Sequence, residues 1–533
     1  MSRIHWNVPS ILILGALVGS ACGGDVACDN CDTLVIAAVG EPSSLFPPLV
    51  VETVGRDISD RIFERLADLR LGGSPLDPAD YAPRLATSWE RMSDRRWRFH
   101  LREDVTWHDG VPFTAEDVRF SFEVFSDPTV DALALAAVEQ LTVEVVDEHT
   151  VDIVFPAAGP NQLYDATYHV RILPSHVWAG LARGEWLSDT ASSRIIGTGP
   201  YRLVAWERPT TVRLEAAGMN GHHPSISRLV WAIQGDPDAA ANLVLSHEAD
   251  AMEAVPPPRL GQVEADPVLR TIRYPSAVYG FLTFNLEAGA GSSPLADRGV
   301  RRALAMAIDR QELAEAAVGR GTMVPLGPMS RLSWINDSAI AQLPYDPSRA
   351  RLELEQSGWS RGKDGSWSRG GRALAFDILI PSTSRSRQLL AEALQEAWRR
   401  EGIAVSVTAV DFPVFLERLR QGRFDSYIGA MLDEPSAGSL ADQWTRAGWD
   451  AGNSGHYFNP LFDSLATRAN AATDAAESKA LWIEALSTLN EDAPAIFLFN
   501  PVNAAAVKSW VQDVVIDPYS WLESVAAWRG SIR

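Results

Sequence analysis

WHDGVPFTAEDV, residues 107–118, places one histidine and three acids around a tight turn, an arrangement that raises the question of an active site. Residues 108–111 suit a turn in which Gly110 supplies the unusual backbone dihedral angle. Thr114 can cap a following helix, and Asp117 at its third position completes an acidic form of the capping box. The segment therefore predicts a strand, a turn and a helix start, in which the histidine and the acids have structural roles.

The length and composition of the chain predict a globular α/β protein of more than one lobe. Its 533 residues exceed the roughly 250–300 at which a single core stops growing. The run LVIAAVG (34–40) predicts a buried strand, and helix and strand patterns alternate from there to the end. Asp346 and Gly358 mark the start and end of one helix, and Asp309 starts another. The apolar run at 495–500 comes late enough to return the chain to the first lobe.

The charge balance excludes two classes of partner. The chain carries 68 acidic residues against 47 Lys and Arg, for a formal net charge of −21. Such a surface repels a nucleic-acid backbone and an anionic membrane, and no run of Lys and Arg is interleaved with aromatic residues. We therefore expect no nucleic-acid partner.

The amino-terminal segment predicts export and membrane anchoring. It has a basic residue at Arg3 and an apolar stretch at 11–18, which is too short to span a bilayer and fits a signal peptide over residues 1–21. The ending GSAC resembles the lipobox of bacterial lipoproteins, which implies lipidation of Cys22 followed by a tether over 22–31. The alternative is a plain signal peptide cut nearby. Whether Cys28 and Cys31 form a disulfide stays open.

Motifs for catalysis or metal binding are weak. A G-x-S-x-G pattern occurs at 358–362, but a helix enters it and a turn leaves it, the reverse of a nucleophile elbow. The chain has no P-loop, no H-E-x-x-H and no glycine-rich dinucleotide fingerprint. His222 and His223 fit a surface turn better than a metal site. We expect no enzymatic activity, no cofactor and no bound metal.

Five segments, in order along the chain, together resemble the family 5 extracellular solute-binding proteins, the receptors of peptide and nickel ABC importers. They are APRLATSWERMSDRRWRFHLREDVTWHDGVPFTAEDVRFSFE (82–123), GTGPYRLVAWE (197–207), FNL with RRALAMAIDRQEL (284–313), YDPSRARLELEQSGW (345–359) and NSGHYFNPLFDSL (453–465). The resemblance implies a two-lobed α/β clamshell with an additional subdomain inserted in the first lobe. The implied boundaries are 32–65, 190–283 and 495–533 for lobe I, 66–189 for the inserted subdomain and 284–494 for lobe II.

The resemblance also implies the function. Such a protein is a monomer that captures a solute, here most simply a peptide, between its lobes and delivers it to the membrane permease of an ABC importer. Alternatives within the same class are an oligosaccharide or a nickel chelate as the ligand. A sensor or scavenger that presents its ligand without a transporter of its own is a further alternative.

Ligand contacts are expected mainly in the second lobe. In peptide-binding relatives an aspartate there pairs with the amino terminus of the ligand, and the corresponding stretch is IGAMLDEP (428–435), which makes Asp433 the candidate and Glu434 its competitor. A carboxylate desolvated by lobe closure favours a cationic group. The further candidates are two stacking aromatics and four residues of the cleft floor: Trp444, Tyr457, Tyr279, Asn285, Asn500 and Val54.

Overall fold

The structure, a computed structural model, describes residues 31–130, 132, 134–181, 186, 192–287, 293–449 and 452–531. The predicted signal peptide, Cys22 and Cys28 lie outside these residues. Within the described part of the chain, no helix combines the length and the apolar character needed to cross a membrane.

Strands and helices alternate along the chain, as the sequence predicts. The strands are β1 (Thr33–Val39), β2 (Ala67–Leu69), β3 (Tyr81–Pro83), β4 (Ala86–Ser93), β5 (Arg96–Leu101), β6 (Thr142–Asp147), β7 (Thr150–Val154), β8 (Tyr201–Glu207), β9 (Thr211–Ala216), β10 (Arg228–Gln234), β11 (Ala251–Met252), β12 (Leu269–Pro275), β13 (Val278–Phe284), β14 (Ser360–Arg361), β15 (Trp367–Arg369), β16 (Arg372–Ala373), β17 (Ala375–Pro381), β18 (Ala404–Val410), β19 (Ser426–Leu432), β20 (Ala495–Phe499), β21 (Val502–Lys508), β22 (Val511–Gln512) and β23 (Arg529–Gly530). The helices are α1 (Thr53–Ile62), α2 (Ala115–Phe125), α3 (Leu135–Val138), α4 (Gln162–Thr167), α5 (Ser175–Trp178), α6 (Pro237–Leu245), α7 (Pro257–Ala265), α8 (Arg298–Met306), α9 (Arg310–Ala317), α10 (Pro347–Gln356), α11 (Arg385–Arg400), α12 (Phe412–Arg420), α13 (Gly438–Trp444), α14 (Pro460–Ala471) and α15 (Ala475–Asp492).

The first lobe is built on a seven-stranded sheet with the order β12-β21-β11-β1-β10-β9-β8. The run LVIAAVG forms its central strand, β1, which pairs in parallel with β10 on one side and with β11 on the other. Leu34 and Ile36 on this strand are buried. An apolar run with neighbours on both sides is what a central parallel strand requires, so the prediction for residues 34–40 is confirmed.

The second lobe is built on a five-stranded sheet with the order β18-β17-β19-β13-β20. The implied boundaries assign β13 and β20 to the first lobe, but both strands lie in this sheet. β13 pairs along its length with β19 and also pairs with β20. The implied boundaries at 283 and 495 therefore move. The chain crosses between the sheets at residues 276–277 and 500–501, because β12 and β21 belong to the first-lobe sheet whereas β13 and β20 belong to the second-lobe sheet.

The two crossing segments are joined by the side chain of Asn500, which is fully buried. Its amide nitrogen donates to the carbonyl oxygens of Ser276 and Val278, each at 2.7 Å. Its amide oxygen accepts from the backbone N–H of Arg331 at 2.8 Å. The backbone N–H of Ser276 also donates to the carbonyl of Pro501 at 2.8 Å. These bonds tie the two crossing segments together in a compact region, called the hinge region because both connections between the lobes pass through it.

A four-stranded antiparallel sheet, β4-β5-β7-β6, forms the centre of the inserted region. The turn that the sequence predicts lies between β5 and β6. Gly110 has a φ of +88°, and its N–H donates to the carbonyl of Trp107 at 2.8 Å. His108 bonds the backbone of Gly197 and Gly199. The histidine and acids of WHDGVPFTAEDV thus hold the turn and the helix start in place, as predicted.

The buried carboxylate of Asp117 is the centre of this segment. It accepts from the backbone N–H of Thr114 at 3.0 Å, which is the reciprocal bond of the predicted capping box. It also accepts from the indole nitrogen of Trp107 at 3.2 Å and from the backbone and hydroxyl of Ser175 at 2.9 and 2.6 Å. One carboxylate therefore connects the turn, α2 and α5.

The other predicted helix signals are confirmed. The side chain of Asp346 accepts from the backbone of Arg349, and Gly358 follows the same helix with a φ of +79°. Asp309 caps α9 through the N–H of Glu312. Ser360 of the G-x-S-x-G pattern is exposed on the two-residue strand β14, which pairs with β15, so the surroundings of a nucleophile elbow are missing.

We expect Asp117→Asn to lower the free energy of unfolding by about 2–4 kcal/mol, because an asparagine amide would face buried donors and leave some of them unpaired. Thermal denaturation of the purified protein measures the effect. The matched control is Glu116→Gln, one residue earlier and exposed, which removes a surface ion pair with Arg119 and should change stability by less than about 1 kcal/mol. Equal destabilisation by the two substitutions would contradict the assignment of Asp117.

Candidate functional site

A cavity of about 650 Å³ lies between the two lobes and the inserted region. Most of its lining comes from four stretches: residues 56–73, which run from the first lobe into the inserted region, 161–171 of the inserted region, 432–442 of the second lobe and 517–523 near the carboxyl terminus. Its volume falls within the range of roughly 300–1,000 Å³ that is typical of pockets for small ligands. Residues from distant parts of the chain therefore meet around one space large enough for a solute.

Asp433 lies on the second-lobe side of this cavity, directly after β19. It is only 7% exposed, and its Oδ2 accepts from the backbone N–H and the hydroxyl of Ser330 at 2.9 and 2.7 Å. Its own N–H donates to the carbonyl of Ala277 in the crossing segment at 2.7 Å. Burial raises the pKa of Asp433 to about 7, against the lowering effect of the Ser330 bonds.

Glu434 and Arg56 bring opposite charges into the same cavity from opposite lobes. The side chain of Glu434 is exposed to the cavity; enclosure by the surrounding walls raises its pKa, and the positive charge of Arg56 opposes that rise. Among the described residues, no carboxylate lies within ion-pair distance of Arg56. The cavity thus presents a guanidinium on one side and two adjacent carboxylates on the other.

The first-lobe wall carries a network of paired charges. Arg171 binds both oxygens of Asp60 at 2.8 and 2.9 Å, and Arg65 lies 3.2 Å from Asp68 and 3.5 Å from Asp60. Burial alone would raise the pKa of Asp60, but the charges of Arg171 and Arg65 outweigh it and lower the pKa. These acids and bases neutralise one another, so this network itself offers little net charge to a ligand.

The inserted region contributes Asp165 together with aromatic side chains. Tyr164 and Tyr168 stack with ring centroids 4.7 Å apart, and His169 lies edge-on to Tyr164 at 5.3 Å. Burial, and then the charge of Glu434, raise the pKa of Asp165 to about 7. The side chain of His169 lies 3.9 Å from the carboxylate of Asp165. Burial, together with the charges of Arg171 and Arg65, lowers the pKa of His169 to about 4. At neutral pH this histidine is uncharged.

Of the eight ligand-contact candidates from the sequence, Asp433 and Glu434 line the cavity. Three aromatic candidates lie in the core of the second lobe instead, all at most 5% exposed. Trp444 packs against Phe281 and Phe497, and the hydroxyls of Tyr279 and Tyr457 bond to Gln443 and Asp492. Their ring surfaces are covered by neighbouring side chains, so they offer no stacking face to a solute in this structure.

The three remaining candidates also point elsewhere. The amide of Asn285 binds the carbonyls of Gly422 and Phe424, and Asn500 is occupied in the hinge region. Val54 is buried in the first-lobe core, while Arg56, two residues later on the same helix, reaches the cavity. The residue of α1 that lines the cavity is therefore Arg56 and not Val54.

Most of the cavity lining was not predicted from the sequence, including Arg56, Asp165 and Tyr168. A signal existed in YDATYHV (164–170), where an acid and a histidine alternate with aromatic residues in a short helical segment. Its aromatic density is equally typical of a core helix, and half of it is indeed buried. Only the packing of the folded chain shows which side of residues 164–170 faces the cavity and which side faces the core.

The histidine pair at 222 and 223 does not form part of this cavity. His222 lies 3.3 Å from Glu64 on the first lobe. Within the described ranges, no group of three or more His, Cys, Asp or Glu side chains is arranged to hold a metal ion.

Two α/β lobes joined by two crossing segments, with a solute-sized cavity between them, define a clamshell solute-binding protein. Comparisons with known proteins agree. The family model for bacterial extracellular solute-binding proteins, family 5, matches residues 80–452. The chain therefore belongs to the family 5 extracellular solute-binding proteins, a family of binding proteins rather than enzymes.

Three relatives illustrate the similarity. The dipeptide-binding protein of Escherichia coli (strain K12) is 24% identical over 542 residues, which cover 97% of this chain and 98% of that protein. The oligopeptide-binding protein AppA from Bacillus subtilis, solved with a nonapeptide, superposes with a TM-score of 0.74 at 21% identity and covers 94% of this chain and 99% of its own. The ABC transporter substrate-binding protein CtaP from Listeria monocytogenes gives a TM-score of 0.79 at 20% identity, with coverages of 93% and 99%.

The raised pKa of Asp433 predicts a pH-dependent stability. Because the folded protein keeps this proton up to about pH 7 while the ordinary pKa is 3.8, Asp433 removes stability as the pH rises from about 4 through 7. An asparagine side chain at the same position would accept from Ser330 without that penalty. We expect ligand-free Asp433→Asn to melt about 2–4 °C above the native protein at pH 8, which corresponds to roughly 2–4 kcal/mol for a chain of 533 residues, and at the same temperature at pH 4.

Differential scanning fluorimetry across this pH range measures the difference. Glu248→Gln is the control, since Glu248 is exposed and does not line the cavity; its melting curve should follow that of the native protein at every pH. A native protein more stable than Asp433→Asn at pH 8 would contradict the burial argument.

Proposed function

We propose that this protein is the extracytoplasmic receptor of an ABC importer and that it captures a peptide in the cavity between its lobes. The observation that carries the proposal is Asp433, a buried carboxylate at the cavity with no basic side chain within ion-pair distance among the described residues. Named relatives that bind dipeptides and a nonapeptide support the same ligand class. The name of CtaP supports an ABC transporter as the membrane partner.

The geometry suits a zwitterionic peptide. The ammonium group of the amino terminus supplies the missing partner of Asp433, whose Oδ2 is held by Ser330. Arg56 on the opposite side suits a carboxylate of the ligand. Charge-assisted bonds of this kind are strong where water is excluded, and lobe closure excludes it.

Binding of this kind needs no chemical step. A ligand that contacts both lobes stabilises the closed form relative to the open form, and the closed form is the one that the permease would recognise. The hinge region around Asn500 lets the two sheets rotate as units, because the crossing segments are short and mutually bonded. The ligand is released unchanged.

An oligosaccharide is less well supported than a peptide. The aromatic residues that suggested sugar stacking, Trp444 and Tyr457, are covered in the second-lobe core. The charged groups around the cavity, among them Arg56, Asp433 and Glu434, match a charged solute better than a neutral sugar.

We expect Asp433→Asn to weaken the binding of a peptide with a free amino terminus by at least ~1.5 kcal/mol, because a charge-assisted bond in a desolvated site is lost. Isothermal titration calorimetry with a set of di- and tripeptides measures the affinity. The same peptides with an acetylated amino terminus are the chemical control, since they should bind weakly to both proteins. Equal affinity of the native protein and the variant for free peptides would remove Asp433 from the site.

We also propose that Cys22 carries a lipid anchor that holds the protein at the outer side of a membrane. The lipobox-like ending of the signal segment supports the proposal, and a diacyl anchor binds firmly because each buried methylene contributes about 0.8 kcal/mol.

For this proposal we expect the native protein in the membrane fraction of expressing cells and Cys22→Ser in the soluble or unprocessed fraction. Mass spectrometry of the mature amino terminus should give the mass of a lipidated cysteine. A native protein that is cut nearby and carries no lipid would establish the plain signal peptide instead.

A further inference from the structure

Among the charged side chains that line the cavity without an ion-pair partner, acids outnumber bases. Five acids that line it have no Arg or Lys within ion-pair distance among the described residues: Asp165, Asp433, Glu434, Asp442 and Asp517. Two lining bases, Arg56 and Arg70, have no carboxylate within that distance among the same residues. A zwitterionic peptide brings one positive and one negative charge, so it leaves this excess of acid unchanged. A solute with an additional positive charge would reduce it.

Asp165 is the acid most clearly without a partner. Its side chain is 32% exposed, and no hydrogen bond to its carboxylate is present within the described residues. Arg171 and Arg65, the nearest guanidinium groups on the same wall, are bound to Asp60 and Asp68. His169 is neutral at physiological pH, because burial lowers its pKa to about 4.

Tyr164 supplies an independent sign of a missing ligand. This tyrosine lines the cavity and is 1% exposed, yet its buried hydroxyl has no hydrogen-bond partner among the described residues. An unpaired buried hydroxyl costs free energy that a bound polar group would recover. Burial raises the pKa of this hydroxyl, and Tyr168 and then Glu434 add to the rise. Tyr164, Asp165 and Glu434 all line the same cavity.

The inserted region and the second lobe approach each other at this point. A Cβ added to Gly438 would lie 3.2 Å from the amide nitrogen of Asn161. Asn161 and Asp165 are one helical turn apart, with the N–H of Asp165 bonded to the carbonyl of Asn161 at 2.9 Å. Glu434 lies four residues before Gly438 on the other side, and both Glu434 and Asp165 line the cavity. The two residues therefore border a common space, and the charge of Glu434 adds to the raised pKa of Asp165.

The surroundings favour a cationic group of a particular kind. Asp165 and Glu434 both line the cavity, and a guanidinium or ammonium group is attracted to each carboxylate. The ring of Tyr168 is already in contact with Tyr164 and with the guanidinium of Arg65, 5.3 Å from the ring centroid, so the carboxylates are the groups that attract a ligand cation. A ligand cation placed between Asp165 and Glu434 would also relieve the repulsion between the two lobes.

We propose that Tyr164, Asp165 and Glu434 form a subsite for a second cationic group of the solute, so that the protein prefers peptides that carry a lysine or arginine side chain. This proposal rests on the peptide-binding function proposed above and specifies it. The amino terminus binds at Asp433, and the basic side chain binds between the inserted region and the second lobe. Closure then depends on two positive charges rather than one.

Calorimetry with matched tripeptides tests the subsite on the full mature protein. The probes are Ala-Lys-Ala, Ala-norleucine-Ala and Ala-Glu-Ala, which share a backbone and free termini and differ in the charge of one side chain. We expect the native protein to bind the lysine peptide at least about tenfold more tightly than the norleucine peptide, the size of one charge-assisted bond. The glutamate peptide should bind most weakly.

The variants separate the subsite from the general field of the cavity. Asp165→Asn should abolish the preference for the lysine peptide. Its affinity for the norleucine peptide should stay within about twofold of that of the native protein, a change well below the effect of one charge-assisted bond. Asp442→Asn removes an acid of the same cavity outside the subsite and should retain most of the preference. Tyr164→Phe should reduce the preference without lowering the melting temperature of the ligand-free protein, because its hydroxyl has no partner within the described residues.

The outcomes are distinguishable. Equal affinity of the native protein for the lysine and norleucine peptides would overturn the subsite and leave the peptide-binding function standing. An equal loss of preference in Asp165→Asn and Asp442→Asn would also overturn it, since a diffuse negative field would then explain the selectivity. Failure of every peptide to bind would overturn both the function and the subsite.

Discussion

The side chain of Asn500 joins the two lobes and the loop that supports Asp433. It binds the carbonyls of Ser276 and Val278 in one crossing segment and the N–H of Arg331 in the second lobe. The preceding residue in that loop, Ser330, holds the carboxylate of Asp433, whose own N–H returns to Ala277 in the crossing. A continuous set of hydrogen bonds therefore connects the hinge region to the central acid of the cavity. A change in lobe angle and a change in ligand occupancy act on neighbouring residues.

Electrostatics divides the cavity into two unlike walls. On the first lobe, buried acids are paired with arginines, and the pKa of Asp60 is lowered despite its burial. On the second lobe and the inserted region, acids lack such partners among the described residues, and the pKa values of Asp433 and Asp165 are raised to about 7. The first arrangement stabilises the protein by itself, whereas in the second the proposed cationic ligand would supply the missing partner. A binding protein needs both, because a cavity of paired charges would have little affinity left for a solute.

Local features were predictable because they depend on residues close in sequence. The turn at Gly110, the bond from Thr114 to Asp117, and the caps at Asp309 and Asp346 follow from backbone geometry and short side chains. The sheet that β13 and β20 join did not follow, since an apolar strand has the same pattern in either lobe. Aromatic residues were similarly ambiguous: Trp444 and Tyr457 carry the composition of a stacking site and lie in the core.

The amino-acid sequence by itself determined the fold class and the family, and it predicted two acids that line the cavity, Asp433 and Glu434. These conclusions come from ordered motifs and from the chemistry of single residues. The tertiary structure decided which side chains share the cavity, placing Asp165 opposite Glu434 and Arg56 in place of Val54. The reason is physical: hydrogen bonds of turns and caps are set within a few residues, whereas desolvation and charge pairing depend on groups that packing alone brings together.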